Sequence, residues 1–297
     1  MIQPPFLTPG DTIYITAPAK AIEETSVLAA KNTLETWGLN VHIAPHCLGR
    51  YHYFSGSDEQ RLADFQDGLD DPSIKAILCA RGGYGCVRMV EALNWEAFKK
   101  NPTWIIGFSD VTVFHQQIHQ LGIESIHGIM PLGFIEGSDA AKETLKKSLF
   151  GESFTLEAAY VLGNITGEAR GNLVGGNMAI VTSLLGTSLS YSFKNNILVL
   201  EDIGEHVYKI DRMLYSLRLA GVFQEIKGLV LGGFTDMEDT DVPFGKTIKE
   251  LILEQVQGLG VPVAFDLPLG HISDNQALVL GRSAVLKVSE TKTNLLI

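Results

Sequence analysis

The sequence predicts an α/β protein with an N-terminal doubly wound parallel-sheet domain and a smaller C-terminal α/β domain. The chain has 297 residues, enough for two domains of about 150 residues each. Hydrophobic residues make up 45% of it and charged residues 19%, which is typical of a folded globular protein. Short apolar runs alternate with helical patterns through the first half, as they do in βαβ units.

In the first half, the predicted strands are residues 11–17, 41–44, 74–80 and 104–108. The last two are continuous apolar runs, which suit the central strands of a parallel sheet. A helical pattern runs from Glu23 to Trp37 and is stopped by Gly38. A second helix is predicted after Ser57 and Gln60, which form a capping box that satisfies the exposed amides of the helix start.

In the second half, the predicted strands are residues 197–201, 228–234 and 261–265, with helices near 206–220 and 245–257. Residues 136–170 are mixed and weakly periodic, so we expect the inter-domain connection there. The predicted domains are residues 1–145 and 165–297, joined by residues 146–164. Residues 171–193 carry no charge but are rich in glycine, serine, threonine and asparagine. They predict a buried helix with loops, because a bilayer span needs sustained apolarity.

Charge and cysteine content restrict the partners and the compartment. The net charge is −11 and no lysine or arginine cluster stands out, which argues against binding of nucleic acid or of an anionic membrane. Three cysteines, Cys47, Cys79 and Cys86, form neither a CxxC pair nor an even disulfide framework, which favours a reducing compartment. The N-terminus lacks the basic and apolar regions of a signal peptide, so we expect a cytoplasmic location.

The first candidate for chemistry is Ser109, which follows an apolar strand and precedes a helical pattern. A serine on such a turn can be exposed above the sheet edge, near the positive end of the helix. The backbone amide of Asp110 can then face a developing oxyanion. The match to GxSxG is partial, because Val111 stands where the second glycine would be. The alternative is that Ser109 or Asp110 only caps the helix.

The second candidate is the glycine-rich run Arg81-Gly82-Gly83-Tyr84-Gly85, which also follows a strand. With Arg88 it nearly matches a dinucleotide fingerprint, but an arginine in place of the third glycine argues against a Rossmann site. Its glycines still allow backbone amides to approach a ligand, which suits an oxyanion hole or a carboxylate nest. The alternative is a tight turn without a ligand.

The third and fourth candidates are Glu201, at the end of an apolar strand, and His271, in a turn-rich loop. Each is weak alone, because charged strand ends and loop histidines are often ordinary surface groups. Together with Ser109 they supply a nucleophile, an orienting acid and a base.

A metal site is the alternative that the helical histidines raise. His115 and His119 are four residues apart, a spacing that can bind zinc. Gln116 stands where the HExxH motif has its glutamate, so we expect no metal.

Taken in order, these motifs resemble the LD-carboxypeptidases, a family of serine peptidases that includes the bacterial muramoyltetrapeptide carboxypeptidases. The resemblance extends over nearly the whole chain. It rests on Pro9–Asp11, Phe54–Glu59, Ile74–Ile77, Arg81–Gly85, Gly107–Asp110, Gly175–Asn177, Leu200–Glu205, and Gly270–His271 with Asn275. One departure is Ile129, where the family pattern has proline; it lies in a loop outside the triad.

The resemblance implies an N-terminal domain like those of flavodoxins and glutamine amidotransferases, and a Ser–Glu–His triad that maps onto Ser109, Glu201 and His271. Because the triad is spread over both halves, we expect the active site in the inter-domain groove. We expect the oxyanion to be bound by backbone amides of Asp110 and of Gly82 or Gly83.

The substrate that the resemblance implies is a murein tetrapeptide, cleaved between diaminopimelate or lysine and the terminal D-alanine during cell-wall recycling. The candidates for substrate contacts are Arg81, Tyr84 and Asn177. The candidates for binding the terminal carboxylate of the substrate are Arg81, Arg88 and Arg212. No cofactor is required. Family members are similar in forming homodimers, so a homodimer is expected.

Two other readings stay open. Relatives that hydrolyse microcin C-type peptide–nucleotides have the same triad with a longer active-site insertion, for which the compact span from Glu201 to His271 leaves little room. The other is a non-catalytic ligand-binding module on the same fold, in which Ser109 is only a helix cap.

Overall fold

The computed structural model describes residues 1–297, which fold into two compact units. Unit 1 comprises Met1–Ser153 and Ser273–Val279, and unit 2 comprises Phe154–Ile272 and Leu280–Ile297. The strands are β1 Thr12–Thr16, β2 Asn40–Ile43, β3 Ile74–Cys79, β4 Trp104–Gly107, β5 Ser125–His127, β6 Thr155–Ala159, β7 Gly167–Asn177, β8 Ile197–Ile203, β9 Gly228–Thr235, β10 Val263–Ala264, β11 Leu278–Leu280, β12 Ser283–Val288 and β13 Lys292–Leu296. The helices are α1 Glu24–Thr36, α2 Asp58–Asp70, α3 Glu96–Lys100, α4 Thr112–Gln120, α5 Gly133–Glu136, α6 Asp139–Phe150, α7 Met178–Ser183, α8 Val207–Leu219, α9 Val222–Glu225 and α10 Ile248–Val256.

The sheet of unit 1 has the strand order β2-β1-β3-β4-β5-β11, and the pairs from β2 to β5 are parallel. This confirms the predicted α/β class and the doubly wound N-terminal sheet. The strand order reverses between β1 and β3, and in such sheets ligands bind beyond the carboxyl ends of the strands at that point. The loops that follow β1, β3 and β4 therefore form the edge where chemistry is expected.

Local sequence explains why unit 1 folds this way. β3 and β4 are almost wholly buried, which is why both strands are continuous apolar runs. The predicted capping box is present at the start of α2, where the Ser57 hydroxyl accepts from the Gln60 amide and the Gln60 side chain accepts from the Ser57 amide. Phe65 and Leu69 carry the buried face of this helix.

The sheet of unit 2 has the order β10-β9-β8-β7-β12-β13-β6. Strands β7 to β10 are parallel, whereas β12 and β13 pair antiparallel with their neighbours. A buried apolar cluster that includes Leu198, Leu200, Leu214 and Leu229 joins β8 and β9 to α8. The second unit is thus α/β with an antiparallel extension.

Residues 171–193 correct one prediction. We expected a buried helix with loops, but the segment begins within strand β7 and only Met178–Ser183 is helical. The glycines are needed for close strand packing: a Cβ at Gly171 would lie 2.6 Å from the Asn195 carbonyl oxygen, and one at Gly175 would lie 1.9 Å from that of Val199. Tertiary contact, rather than local propensity, therefore sets this strand.

Two further differences concern the connection between the halves. The weakly periodic residues 136–170 contain helix α6, capped by the Ser138 hydroxyl, and strand β6. The boundary between the units falls at Ser153 and Phe154, and residues 273–279 return to unit 1, which the predicted division did not include. None of the helices combines the length and apolarity that a bilayer crossing requires.

Candidate active site

Ser109 lies on a tight turn in unit 1, directly after β4. Its φ is +63°, in a region that non-glycine residues rarely occupy, at a cost of about 1 kcal/mol or more. Residues Ser109–Val111 form a 3-10 turn that leads into α4. The strained backbone lifts this serine out of the strand and places it before a helix start, which is the geometry of a nucleophile elbow.

The capping alternative is wrong for both residues. Neither the 3-10 turn nor α4 has a side-chain cap hydrogen bond. The buried Asp110 carboxylate instead accepts from the Cys86 backbone N–H at 2.8 Å, so it ties the glycine-rich loop to the serine turn. Burial raises the pKa of the Asp110 carboxyl.

The glycine-rich loop passes directly against the serine. A Cβ at Gly82 would lie 3.0 Å from the Ser109 Cβ, 3.2 Å from its Oγ and 3.3 Å from the Asp110 nitrogen. Gly83 has φ +104°, which a residue with a side chain rarely adopts. The backbone N–H groups of Gly82, Gly83 and Asp110 donate to no other protein group, so they are available to a ligand.

A buried histidine supports the same turn from below. His115 is 1% exposed, and its ring nitrogens lie 2.9 Å from the Gly107 carbonyl oxygen and 2.8 Å from the Ser125 hydroxyl. Burial lowers its pKa to about 4, so the ring is neutral at pH 7. This role was missed, because the sequence showed only the spacing of His115 and His119. No group of three or more potential ligand side chains is placed to hold a metal.

The arginines of unit 1 are in different states. Arg61 is 1% exposed and donates to the carbonyls of Pro18 and Gly85 and to Asp58. Arg88 is also bound to Asp58, through three hydrogen bonds. Arg81 is half-buried, and no hydrogen bond or ion pair engages its guanidinium. Of the two loop arginines that were candidates for a carboxylate, Arg81 is thus the one without a protein partner.

In unit 2, Glu201 and His271 form a direct pair. The Nδ1 of His271 lies 2.6 Å from the Glu201 Oε2, although 70 residues separate them in the chain. Glu201 is 0% exposed and the His271 side chain is 16% exposed. A buried carboxylate at Nδ1 fixes the tautomer with the proton on that nitrogen, so Nε2 is left to act as a base.

Gly270 makes the pair sterically feasible. Its φ is +92°, and a Cβ there would lie 2.6 Å from the Glu201 Cβ and 2.7 Å from its Oε2. The His271 carbonyl oxygen accepts from the Thr235 hydroxyl at 3.1 Å, which anchors the loop to the end of β9. The histidine is therefore held by its backbone as well as by its ring.

Comparison with known proteins identifies the family. The profile of the LD-carboxypeptidase N-terminal domain matches residues 13–128, and that of the LD-carboxypeptidase C-terminal domain matches residues 170–286. The chain belongs to the LD-carboxypeptidase family. The family and the enzyme class predicted from the motifs are confirmed.

Relatives of this LD-carboxypeptidase carry consistent names. A Synechocystis sp. relative, classed by name among the carboxypeptidases, is 36% identical over 96% of this chain and 94% of its own. The murein tetrapeptide carboxypeptidase of Pseudomonas aeruginosa is 32% identical over 93% of this chain and 92% of its own.

Solved structures agree on the fold. The muramoyltetrapeptide carboxypeptidase of Oxalobacter formigenes has a TM-score of 0.88 and 27% identity, and the match covers 96% of this chain and 98% of that one. The microcin C7 self-immunity protein MccF has a TM-score of 0.87 at 20% identity, covering 99% and 98%; at that identity the likeness shows the fold alone.

The sequence-predicted site residues of this LD-carboxypeptidase are divided between the units. Unit 1 carries the nucleophile candidate, the oxyanion candidates and two substrate candidates: Ser109, Asp110, Gly82, Gly83, Arg81 and Tyr84. Unit 2 carries Glu201 and His271, which the structure brings together, and Asn177. Tyr84 is 47% exposed and is accessible to a ligand.

Asn177 has a structural role in this fold. Its side chain accepts from the Ile180 amide at the start of α7 and donates to Asp202 at 2.9 Å. Asp202 also accepts from the Ala179 amide at 2.9 Å, and burial raises its pKa to about 6. These bonds fix the start of α7 beside the strand that carries Glu201, and the substrate contact expected of Asn177 stays a prediction.

Proposed function

We propose that this LD-carboxypeptidase is a serine peptidase that releases the terminal D-alanine from murein tetrapeptides through an acyl-enzyme. The observation that carries the proposal is the Glu201–His271 contact of 2.6 Å. A buried carboxylate that orients a histidine is the base half of a serine-peptidase triad. The names of the Pseudomonas and Oxalobacter relatives support the substrate.

In the proposed reaction, His271 Nε2 takes the proton of the Ser109 hydroxyl as its Oγ attacks the scissile carbonyl carbon. Glu201 stabilises the imidazolium that forms, without itself becoming protonated. The imidazolium then gives its proton to the leaving D-alanine nitrogen, and the C–N bond breaks. Water, activated by the same histidine, hydrolyses the acyl-serine ester and regenerates the enzyme.

The oxyanion of each tetrahedral intermediate is proposed to be bound by the backbone N–H groups of Asp110 and of Gly82 or Gly83. These amides have no protein acceptor, and Gly82 lies against Ser109. Loss of one such donor typically costs about 3 kcal/mol of transition-state stabilisation. The absence of a side chain at position 82 gives the carbonyl oxygen the room it needs beside the serine.

The terminal carboxylate of the substrate is proposed to bind Arg81. A guanidinium presents two parallel N–H donors to a carboxylate, and this one is next to Gly82 with no protein partner. Arg88 is bound to Asp58, and Arg212 is exposed on α8 over the Tyr208 ring. Tyr84 is proposed to line the same subsite.

Location and assembly stay predictions. We infer a cytoplasmic enzyme of peptidoglycan recycling, in line with three buried cysteines that form no disulfide. We infer a homodimer from the family resemblance, and sedimentation equilibrium of the purified protein tests it.

A second candidate function is hydrolysis of microcin C-type peptide–nucleotides. The fold is similar to that of MccF over 99% of this chain, which is why a peptide–nucleotide substrate is included in the experiment below. A ligand-binding module that lacks catalysis is the remaining alternative; it would retain ligand affinity in a Ser109→Ala variant and have no turnover to lose.

The deciding experiment is mass spectrometry of a purified murein tetrapeptide, and of a peptidyl sulfamoyl adenosine, incubated with wild type, Ser109→Ala and Ser73→Ala. Ser73 is an exposed serine before β3 and serves as the matched control. Release of D-alanine by wild type and Ser73→Ala but not by Ser109→Ala is expected. Release by Ser109→Ala would refute the triad, and cleavage of the nucleotide substrate alone would assign the second function.

A further inference from the structure

A lysine from the loop after β1, Lys20, and a tyrosine from the loop after β2, Tyr53, lie against the glycine-rich loop of unit 1. A Cβ at Gly83 would lie 2.7 Å from the Tyr53 hydroxyl and 3.1 Å from the Lys20 Cβ. The Lys20 backbone N–H donates to the Gly82 carbonyl oxygen at 3.2 Å. Lys20 and Tyr53 therefore flank Gly83, while Ser109 contacts the preceding glycine.

The Lys20 ammonium has no anionic partner in the protein. Its Nζ lies 5.2 Å from the centroid of the Tyr53 ring, a cation–π contact that positions the charge without neutralising it. Other cations of the same region are neutralised: Arg61 and Arg88 both pair with Asp58, and Arg50 pairs with Glu23. In a chain of net charge −11, this half-buried lysine has no carboxylate partner beside the glycine-rich loop.

The position of this lysine in the fold points to a ligand. Lys20 follows β1 and the glycine-rich loop follows β3, and the strand order reverses between these two strands. Loops at such a reversal bind ligands in doubly wound sheets. Tyr53 and Tyr84 are 43% and 47% exposed, so the surface beside the lysine is aromatic and open to a ligand.

Two cations without an anionic protein partner thus belong to this region: Arg81 directly precedes Gly82 in the chain, and Lys20 contacts Gly83. A substrate with a single carboxylate needs one of them. A murein tetrapeptide carries more: the γ-linked D-glutamate has a free α-carboxylate, and diaminopimelate in the third position has a second carboxylate that lysine lacks.

We propose that Lys20 and Tyr53 form a second carboxylate subsite, which binds a carboxylate on the acyl side of the scissile bond. The ammonium supplies the charge, and the Tyr53 hydroxyl, which makes no hydrogen bond within the protein, donates to the same anion. This inference rests on the proposed function and adds to it a determinant of specificity. Arg81, with its planar fork, keeps the terminal carboxylate.

The test compares wild type, Lys20→Met, Lys20→Arg and Tyr53→Phe on four tetrapeptides. These carry D-glutamate or D-isoglutamine in the second position and diaminopimelate or lysine in the third, so each carboxylate is removed separately. Lys100→Met, on the exposed face of α3, is the matched control for loss of one positive charge. The measurements are KM and kcat for D-alanine release, with thermal unfolding of each variant.

On substrates with the recognised carboxylate, Lys20→Met should lower kcat/KM about tenfold or more, mainly through KM, the size of one hydrogen bond to a charged group. Lys20→Arg should retain most of the activity, Tyr53→Phe should lose a smaller part, and Lys100→Met none. An effect confined to diaminopimelate substrates assigns the third residue, and one confined to D-glutamate substrates assigns the second.

An equal effect of Lys20→Met on all four peptides, including the one that lacks both carboxylates, would overturn the subsite but leave the proposed function intact. So would the absence of any effect. If wild type released D-alanine from none of the four, the proposed function and the subsite would fall together.

Discussion

Replacing Gly82 with alanine is expected to abolish most activity without unfolding the protein. The new methyl carbon would lie 3.2 Å from the Ser109 Oγ and 3.3 Å from the Asp110 nitrogen. An oxyanion must come within about 3 Å of its donors, so methyl and oxyanion compete for the same place. The substrate carbonyl would have to move away from at least one donor, which predicts a loss of about 10²–10³ in kcat.

The stability of this variant should change little. Gly82 is not in the positive-φ region, so alanine tolerates the backbone and gains about 0.4–1 kcal/mol from a less flexible unfolded chain. The contact of 3.0 Å with the Ser109 Cβ offsets part of this gain. We therefore expect a free energy of unfolding within about 1 kcal/mol of wild type.

The assay is steady-state release of D-alanine from a murein tetrapeptide, with urea unfolding of the same preparations. Gly128→Ala is the matched control, because a Cβ at Gly128 would meet nothing closer than 3.5 Å. Full kcat in a folded Gly82→Ala enzyme would refute the proposed oxyanion site. Loss of activity accompanied by unfolding would instead assign Gly82 to the fold.

Three other predictions concern the residues that hold the site together. Glu201→Gln should lower kcat by about 10³–10⁴, because an amide no longer favours the Nδ1-protonated tautomer of His271 or stabilises its imidazolium; wild-type kcat in this variant would contradict the triad. Burial lowers the pKa of His115 to about 4, against about 6.5 in the unfolded chain. Between these pH values the unfolded chain binds more protons than the folded one. The contribution of His115 to the free energy of unfolding is therefore complete above pH 6.5 and falls as the pH drops towards 4. The stability difference between wild type and His115→Gln, measured by urea unfolding, should therefore shrink by about 3 kcal/mol from pH 7 to pH 4, and a pH-independent difference would contradict this. Arg61→Met should destabilise unit 1 by about 1–3 kcal/mol, since it leaves the buried Pro18 carbonyl oxygen without its donor while Asp58 keeps Arg88, and circular dichroism during urea unfolding measures the loss.

Much of unit 1 was predictable because its signals are local. A capping box at Ser57 satisfies amides within three residues, and the apolar runs of β3 and β4 need only be buried on both faces. The same strand-end logic selected Ser109, after β4, and Glu201, in β8, as candidates, since the carboxyl ends of parallel strands lie at one edge of their own sheet. For the capping box and these strands, the residues that determine the local structure are close together in the sequence.

The rest depends on contacts between distant residues. Gly175 falls in the segment predicted as a buried helix with loops, yet it lies in strand β7, where β8 passes too close for a side chain. The C-terminal strands were not predicted, although Ala284, Leu286 and Val288 alternate with exposed residues in β12. The substrate contact expected of Asn177 stays a prediction. Its buried side-chain amide donates to Asp202 and accepts from the first turn of α7, two contacts that the sequence did not indicate.

The incomplete GxSxG motif has a physical explanation in the same contacts. In a nucleophile elbow, the glycines provide room around a serine whose backbone is strained. Here Gly107 supplies the first, and a Cβ there would lie 2.9 Å from Val111 Cγ2. The second glycine is unnecessary, because room beside Ser109 comes from Gly82 on the neighbouring loop. The requirement is thus one of space around the serine, and a residue from a neighbouring loop can meet it, which is why the linear motif alone left a helix cap as an alternative.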